Sequence, residues 1–419
     1  MGQSRSGRWR MIAAASAGNA LEFYDFFIYG FFALSLSKSF FPGHDQTARL
    51  LLTFGTFGLS FFARPVGALA LGAYADAKGR SAAMILAVAM MSLSMLLMTV
   101  LPGYERIGLL APVGVLLARL VQGFALGGEF GSATALMIEH SAGAETEAAT
   151  WQGVSQNLAG LMAAGVAWLL SSAGPTVFGV PAFRLAFALG VLGGGVALLL
   201  RRRLGEAPVF LEQKEKAVPL PPAGQVAQGV AIAGGMVAAG AAQTYLLLYL
   251  PTYAQTELGL RTSQALGTVC LLYLALLLLT PLRLFIARHF DAKRQSRYML
   301  ASCLANAALA YPAFILLARW PGQAALFLLP LLFNLVSLPY NAPLNGFMGL
   351  VFSVRERGLG LSLGYALGIA VFGGAAPFIF TWLIAVTGNP RSPALYLVFS
   401  AFITLAAIWA GRRRLRSRA

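Results

Sequence analysis

Apolar runs of roughly 20 residues recur along the whole chain, each long enough to cross a hydrocarbon layer of about 30 Å. This feature constrains the fold more than any other. A segment in lipid must satisfy its own backbone hydrogen bonds, which leaves helices or closed barrels. Continuous apolar runs without strict alternation select helices. Roughly twelve spans follow, near 11–36, 50–74, 82–101, 109–138, 149–172, 182–200, 226–250, 263–287, 298–317, 324–352, 358–385 and 394–411. Composition agrees: 58% of residues are hydrophobic, 11% are charged and the mean hydropathy is +0.72, against about 25% charged in soluble domains.

The formal charge of +16 could suggest a nucleic-acid partner. Placement argues otherwise, because Lys and Arg gather on loops of one parity, as the positive-inside bias requires. Arg5, Arg8 and Arg10 precede the first span, Arg201, Arg202 and Arg203 follow the sixth, and Arg412, Arg413, Arg414, Arg416 and Arg418 form the tail. The expected address is a bacterial inner membrane with both termini cytoplasmic, lipid as solvent and no nucleic acid. The apolar run after the basic N-terminus also imitates a signal peptide, but cleavage near Ala13–Ala17 would remove half of the first span. Cys270 and Cys303 fall inside spans, which leaves no extracytoplasmic disulfide framework.

Arg201 to Gln225 is the longest polar stretch, with RRR, EQKEK and Pro219, Pro221 and Pro222. It separates six spans from six. The predicted domains are an N-terminal six-helix bundle over 1–200, a cytoplasmic linker over 201–225, and a C-terminal six-helix bundle with its basic tail over 226–419. Carriers of this plan bind substrate near mid-membrane between their halves and alternate access by rocking them. The loop after span two, GAYADAKGRS at Gly72–Ser81, has a degenerate echo after span eight, ARHFDAKRQSR, whose shared DAK marks a duplication.

That first loop is similar to the signature of the major facilitator superfamily at Gly72, Asp76, Gly79 and Arg80. Its role would be gating: Asp76 at a helix N-terminus, with Lys78 and Arg80 meeting acidic or carbonyl ends of neighbouring helices. Within the superfamily the chain resembles the metabolite:proton symporter family, whose carriers take citrate, 2-oxoglutarate, shikimate or proline/betaine. GNALEFYDFFIYGFFA (Gly18–Ala33), FFARPVGALALG (Phe61–Gly72), LARLVQGFALGGEFG (Leu117–Gly131) and VLPGYERIGLLAPVGVLLARL (Val100–Leu120) carry the resemblance. TWQGVSQN (Thr150–Asn157), LPTY (Leu250–Tyr253), the Tyr340–Asn341 pair and VFGGAAPFI (Val371–Ile379) look most like the citrate and tricarballylate branch. The resemblance implies an all-α membrane protein with the major facilitator fold of twelve transmembrane helices in two bundles. It also implies an anionic substrate, since the osmolyte branch looks to carry Lys where this chain has Arg119.

Ionisable groups inside a bilayer cost roughly 2.5–3.5 kcal/mol at a helix centre, so each calls for a partner or a job. Glu22 and Asp25, three residues apart in span one with Asn19 a turn before, place two carboxylates on nearby faces. Such a pair resists ionising together and suits proton coupling, and its oxygens could equally ligate a cation. Glu129 in span four is a further candidate for the proton. Arg64, about 18 Å from the Asp76 loop at 1.5 Å per residue, and Arg119, deep in span four near Gln122, could hold an organic anion in bidentate fashion or pair permanently with Glu22, Asp25 or Glu129. Arg283 in span eight could be a second carboxylate contact but is expected to snorkel to the cytoplasm. Gln152, Gln156 and Asn157 on span five, Gln243 and Tyr245 on span seven, and Tyr340, Asn341 and Asn345 on span ten could orient the ligand or bond helices together.

His44, His140 and His289 are scattered without metal-ligand spacing, and no nucleophile with a base is evident. The GYALG and GGGVALL runs read as packing glycines rather than phosphate loops. The reading is a monomeric symporter of a small di- or tricarboxylate, citrate-like, that is not an enzyme and uses no cofactor beyond a proton gradient, with sodium as the alternative coupling ion. The alternatives are a carrier of an osmolyte or aromatic acid, and a transporter-derived membrane sensor.

Overall fold

A computed structural model describes residues 20, 23–139, 145–202, 223–289, 292–352 and 357–416. Its helices are α1 (residues 23–40, with one turn residue at Phe32), α2 (Gln46–Lys78), α3 (Arg80–Val100), α4 (Leu110–Glu139), α5 (Glu145–Ala173) and α6 (Ala182–Arg202). They continue with α7 (Ala223–Thr256), α8 in two pieces (α8a, Thr262–Leu278; α8b, Thr280–His289), α9 (Ala292–Arg319), α10 in two pieces (α10a, Gln323–Asn341; α10b, Leu344–Val351), α11 (Arg357–Thr387) and α12 (Pro393–Arg416). Among the described residues ten helices are long and apolar enough to cross a membrane, and α8 is an eleventh when its pieces are taken together. Leu69, Leu93, Leu192, Leu278 and Phe402 stand exposed on their outer faces. Outward leucines of this kind are at home in lipid, which is as apolar as they are.

The helices outrun the apolar stretches that predict them. Asp45 caps α2 by accepting the amides of Thr47 and Ala48, both at 3.1 Å, and Gly79 ends it with φ +99°, a backbone state that favours glycine. Asp76 therefore lies in the last turn of α2 rather than opening a helix of its own, which corrects the expectation of an N-terminal position; the helix that follows starts at Arg80 with Gly79 as its cap. Three spans are not straight. α8 bends by 42° at Leu279, where Pro281 in the next turn has no amide to continue the ladder. α10 breaks at Ala342–Pro343, and α11 is π-wound over Ile369–Gly374. Between α5 and α6 a two-residue ribbon pairs Thr176 with Pro181 and Val177 with Val180.

Helix pairing repeats. α2 packs on α4, and α3 on α4 and α6; later in the chain α8 packs on α10, and α9 on α10 and α12. Across the molecule α5 lies against α8 and α2 against α11. α2 and α4 touch through bare backbone: a Cβ at Gly123 would fall 1.8 Å from the Ser60 carbonyl oxygen, and one at Gly127 would fall 2.0 Å from that of Arg64. Small residues at such crossings let helices approach closely, and here they fix the depth of Arg64 on α2 against Arg119 on α4. Of the predicted linker, residues 203–222 lie outside the described residues.

Candidate functional site

A cavity of about 140 Å³ lies among α1, α2, α5, α7, α8, α10 and α11. Two guanidinium groups line it, Arg64 from α2 and Arg283 from α8b, with Tyr365 of α11 electrostatically coupled to both. Arg64 is held on aromatic faces, its Cζ 4.2 Å from the centre of the Phe61 ring and 5.0 Å from that of Phe26, and it hydrogen-bonds the Tyr245 side chain. Cation–π contacts of this kind orient a guanidinium without using up its donors. Gly153, Gln156 and Asn157 present one face of α5 to the cavity, as i, i+3, i+4 spacing dictates, and Gln156 bonds the Tyr365 hydroxyl. Asn334 and Asn341 add amides from α10. Two guanidinium groups with several neutral donors are chemically able to hold carboxylate oxygens.

A second polar cluster is buried beside it. Arg119 Nη2 meets Asp25 Oδ1 at 3.4 Å, both side chains fully buried, and Gln122 Nε2 donates to the other carboxylate oxygen. The guanidinium lies 4.7 Å from the centre of the Tyr29 ring. Tyr29 is fixed in turn, its hydroxyl donating to the Thr53 carbonyl at 3.0 Å and 2.7 Å from Thr56 Oγ1. Arg119 Nε and Nη1 and Gln122 Oε1 find no hydrogen-bond partner among the described residues. A buried pair left partly unsatisfied is poorly explained by stability alone, because desolvation rivals the Coulomb gain.

Several side chains expected from the sequence meet in the cavity: Arg64, Gln156, Asn157, Tyr245 and Asn341. Arg119, expected to touch substrate, is instead paired with Asp25 and is not part of the cavity lining. Tyr340 also points elsewhere, its hydroxyl donating to the Met236 carbonyl and accepting from the Gly240 amide at 3.3 Å. Gln243 accepts from Ser337 Oγ at 2.7 Å, away from the cavity lining. Arg283 faces the cavity rather than snorkelling. Asn19 and Glu22 lie outside the described residues, as do the side chains of Asp76, Arg80, Glu129, Gln152 and Asn345. Gly72 sits within α2 with nothing near its missing Cβ. Sequence reasoning passed over Tyr365, which stands in the GYALG run, and Asn334; for both the available signal was a polar group recurring on an otherwise apolar span.

A multi-pass helical protein whose cavity draws arginines from both halves of its sequence has the plan of a membrane carrier. The description "Major Facilitator Superfamily" matches residues 15–363, and the chain belongs to that superfamily. A citrate-proton symporter of Salmonella typhi is 32% identical over 410 residues, spanning 96% of this chain and 94% of its own. A citrate-proton symporter of Klebsiella pneumoniae is 31% identical, spanning 97% and 92%. A glycine betaine/proline/ectoine/pipecolic acid transporter of Dickeya dadantii is 29% identical, spanning 95% and 82%. Among solved structures a D-xylose-proton symporter superposes with a TM-score of 0.74 at 16% identity, covering 94% of this chain and 97% of its own. At that identity the likeness is one of fold. The chain is a transporter of a small molecule, and its relatives are carriers rather than enzymes.

Proposed function

We propose that this carrier imports a small di- or tricarboxylate, citrate-like, in symport with protons by alternating access. The observation that supports it best is the pair of guanidinium groups, Arg64 and Arg283, lining one cavity from the two halves of the sequence. A bound polycarboxylate bridges them and draws α2 and α8 together. Gln156, Asn157 and Asn341 orient its remaining oxygens, with Gln152 a further candidate, Tyr245 holds Arg64, and Tyr340 bonds helices together. The halves 1–200 and 226–419 move about this site on the 201–225 linker, with both termini cytoplasmic in an inner membrane and the Gly72, Asp76, Gly79 and Arg80 loop as gate.

Asp25 carries the coupling proton in this reading. Protonation cancels its charge and frees Arg119 from the ion pair of 3.4 Å; loss of the proton restores the pair. The helix that holds Asp25 also presents Phe23 and Phe27 to the cavity, so the proton and the anion act on one element. Glu22, Asn19 and Glu129 are the further coupling candidates, and a sodium ion on the same oxygens is the competing arrangement. Proteoliposomes loaded at controlled pH and offered labelled citrate, with other acids and betaine as competitors, test the assignment. Citrate should accumulate with an inward proton gradient and without sodium. Betaine uptake in its place would favour the osmolyte reading that the Dickeya dadantii relative suggests, and sodium-dependent accumulation would replace the proton.

A further inference from the structure

We infer that Gly153 on α5 is a specificity-determining residue, the seat on which Arg283 lies so that the cavity can grip a second carboxylate; the inference rests on the polycarboxylate reading above. A Cβ added at Gly153 would stand 2.5 Å from both Nη1 and Nη2 of Arg283 and 2.8 Å from its Cζ. These are the three nearest atoms and all belong to the guanidinium, which therefore lies against bare α5 backbone. A real Cβ does not come this close, so a substituent shifts the guanidinium, the far end of a flexible side chain, out of its place on α5 while leaving the helices where they are. Arg283 reaches this place because α8 turns by 42° just before it. Its Nε has no hydrogen-bond partner among the described residues, which leaves donor capacity for a ligand. Gln156 and Asn157, on the next turn of the same α5 face, line the cavity with Arg283, so the seat and these ligand-facing groups belong to one helix.

Arg64 keeps its aromatic and Tyr245 contacts whatever stands at position 153. A substrate with one carboxylate needs Arg64 alone; a substrate with two or three needs Arg283 in its seat as well. Gly165, further along α5, provides the control, since a Cβ there meets only Cys270 Sγ, at 3.9 Å and away from the cavity lining.

Binding of citrate and of lactate to the purified full chain, measured by calorimetry alongside thermal unfolding, tests this. Gly153→Ala should weaken citrate about ten- to hundredfold, the scale of one charge-assisted hydrogen bond, and lactate less than about threefold. In an Arg283→Ala background the same Gly153→Ala change should have no further effect on citrate. Equal losses for citrate and lactate, the same citrate loss in the Arg283→Ala background, or an equal citrate-selective loss from Gly165→Ala would overturn the role of Gly153. Unchanged citrate affinity in a folded Arg283→Ala variant would instead remove the two-arginine reading beneath it. If Gly153→Ala does not fold, the Gly153→Ala/Arg283→Ala pair relieves the clash, and its recovery supports the seat while failure to recover refutes it.

Discussion

Two buried polar clusters occupy matching places in the two halves of the sequence, and they differ in charge. In the first, Ser94 Oγ of α3 donates to the Ala118 carbonyl of α4 at 2.7 Å, and the next residue, Arg119, reaches Asp25 on α1. In the second, Ser302 Oγ of α9 donates to the Val336 carbonyl of α10 at 2.6 Å, and the next residue, Ser337, reaches Gln243 on α7. Five residues beyond Asp25 and Gln243 stand Gly30 and Leu248, which touch each other, as equivalent positions near a pseudo-twofold axis do. Asn306 completes the second cluster by donating to Ser337 Oγ at 2.9 Å. One scaffold thus holds an ion pair in one copy and a neutral network in the other. Among the described residues, a proton that changes the charge of a buried cluster acts on the first copy.

The comparison breaks most severely if the ion pair is made to resemble its neutral counterpart. Arg119→Leu should strand the Asp25 carboxylate and lower stability by about 3–5 kcal/mol, read as a large fall in the unfolding midpoint in detergent. Asp25→Asn with Arg119→Gln should restore most of that midpoint, yet abolish uphill uptake while exchange of internal for external substrate persists. Uptake by the native chain should fall as external pH rises and Asp25 gives up its proton, and the double variant should be flat. Uphill accumulation by the double variant would move the proton elsewhere. A smaller effect is expected in the neutral copy: Ser337→Ala leaves Gln243 and Asn306 short of a partner, costing about 1–3 kcal/mol, with the pH profile of transport unmoved. The smallest test sharpens the equivalence itself. Ser94→Ala and Ser302→Ala should each cost about 0.6 kcal/mol, the usual worth of an interhelical bond, and a marked inequality would argue against matched roles.

Depth was legible in the sequence; direction was not. Hydropathy placed the helices, and counting from Asp76 placed Arg64 deep in its span. Tyr340 and Asn341 show why this stops short: neighbours on a helix with 3.6 residues per turn point about 100° apart, so Asn341 lines the cavity while Tyr340 bonds Met236. Arg119 and Arg283 were both recognisable as buried cations, but which one faces the cavity depends on the bend at Leu279 and on contacts between residues far apart in sequence. Span eight reads as one continuous run over 263–287, so the bend beside Pro281 was not foreseen. Gln156 and Asn157 were readable as polar groups on an apolar span, and Gly153 was invisible there because its contribution is an absence of atoms.

The π-wound stretch of α11 bears on heredity as well as on shape. A π turn holds one residue more than the α winding it interrupts, so a length change at Ile369–Gly374 is absorbed locally and Ala376–Thr387 continues as α-helix beyond it. α5, which lies against α8 as α11 lies against α2, is α-helical throughout Glu145–Ala173. A residue-by-residue alignment of α5 with α11 is expected to slip by one position at this stretch. Fusion junctions and duplicated-half chimaeras laid out on a single fixed offset would rotate every side chain past that point by about 100°.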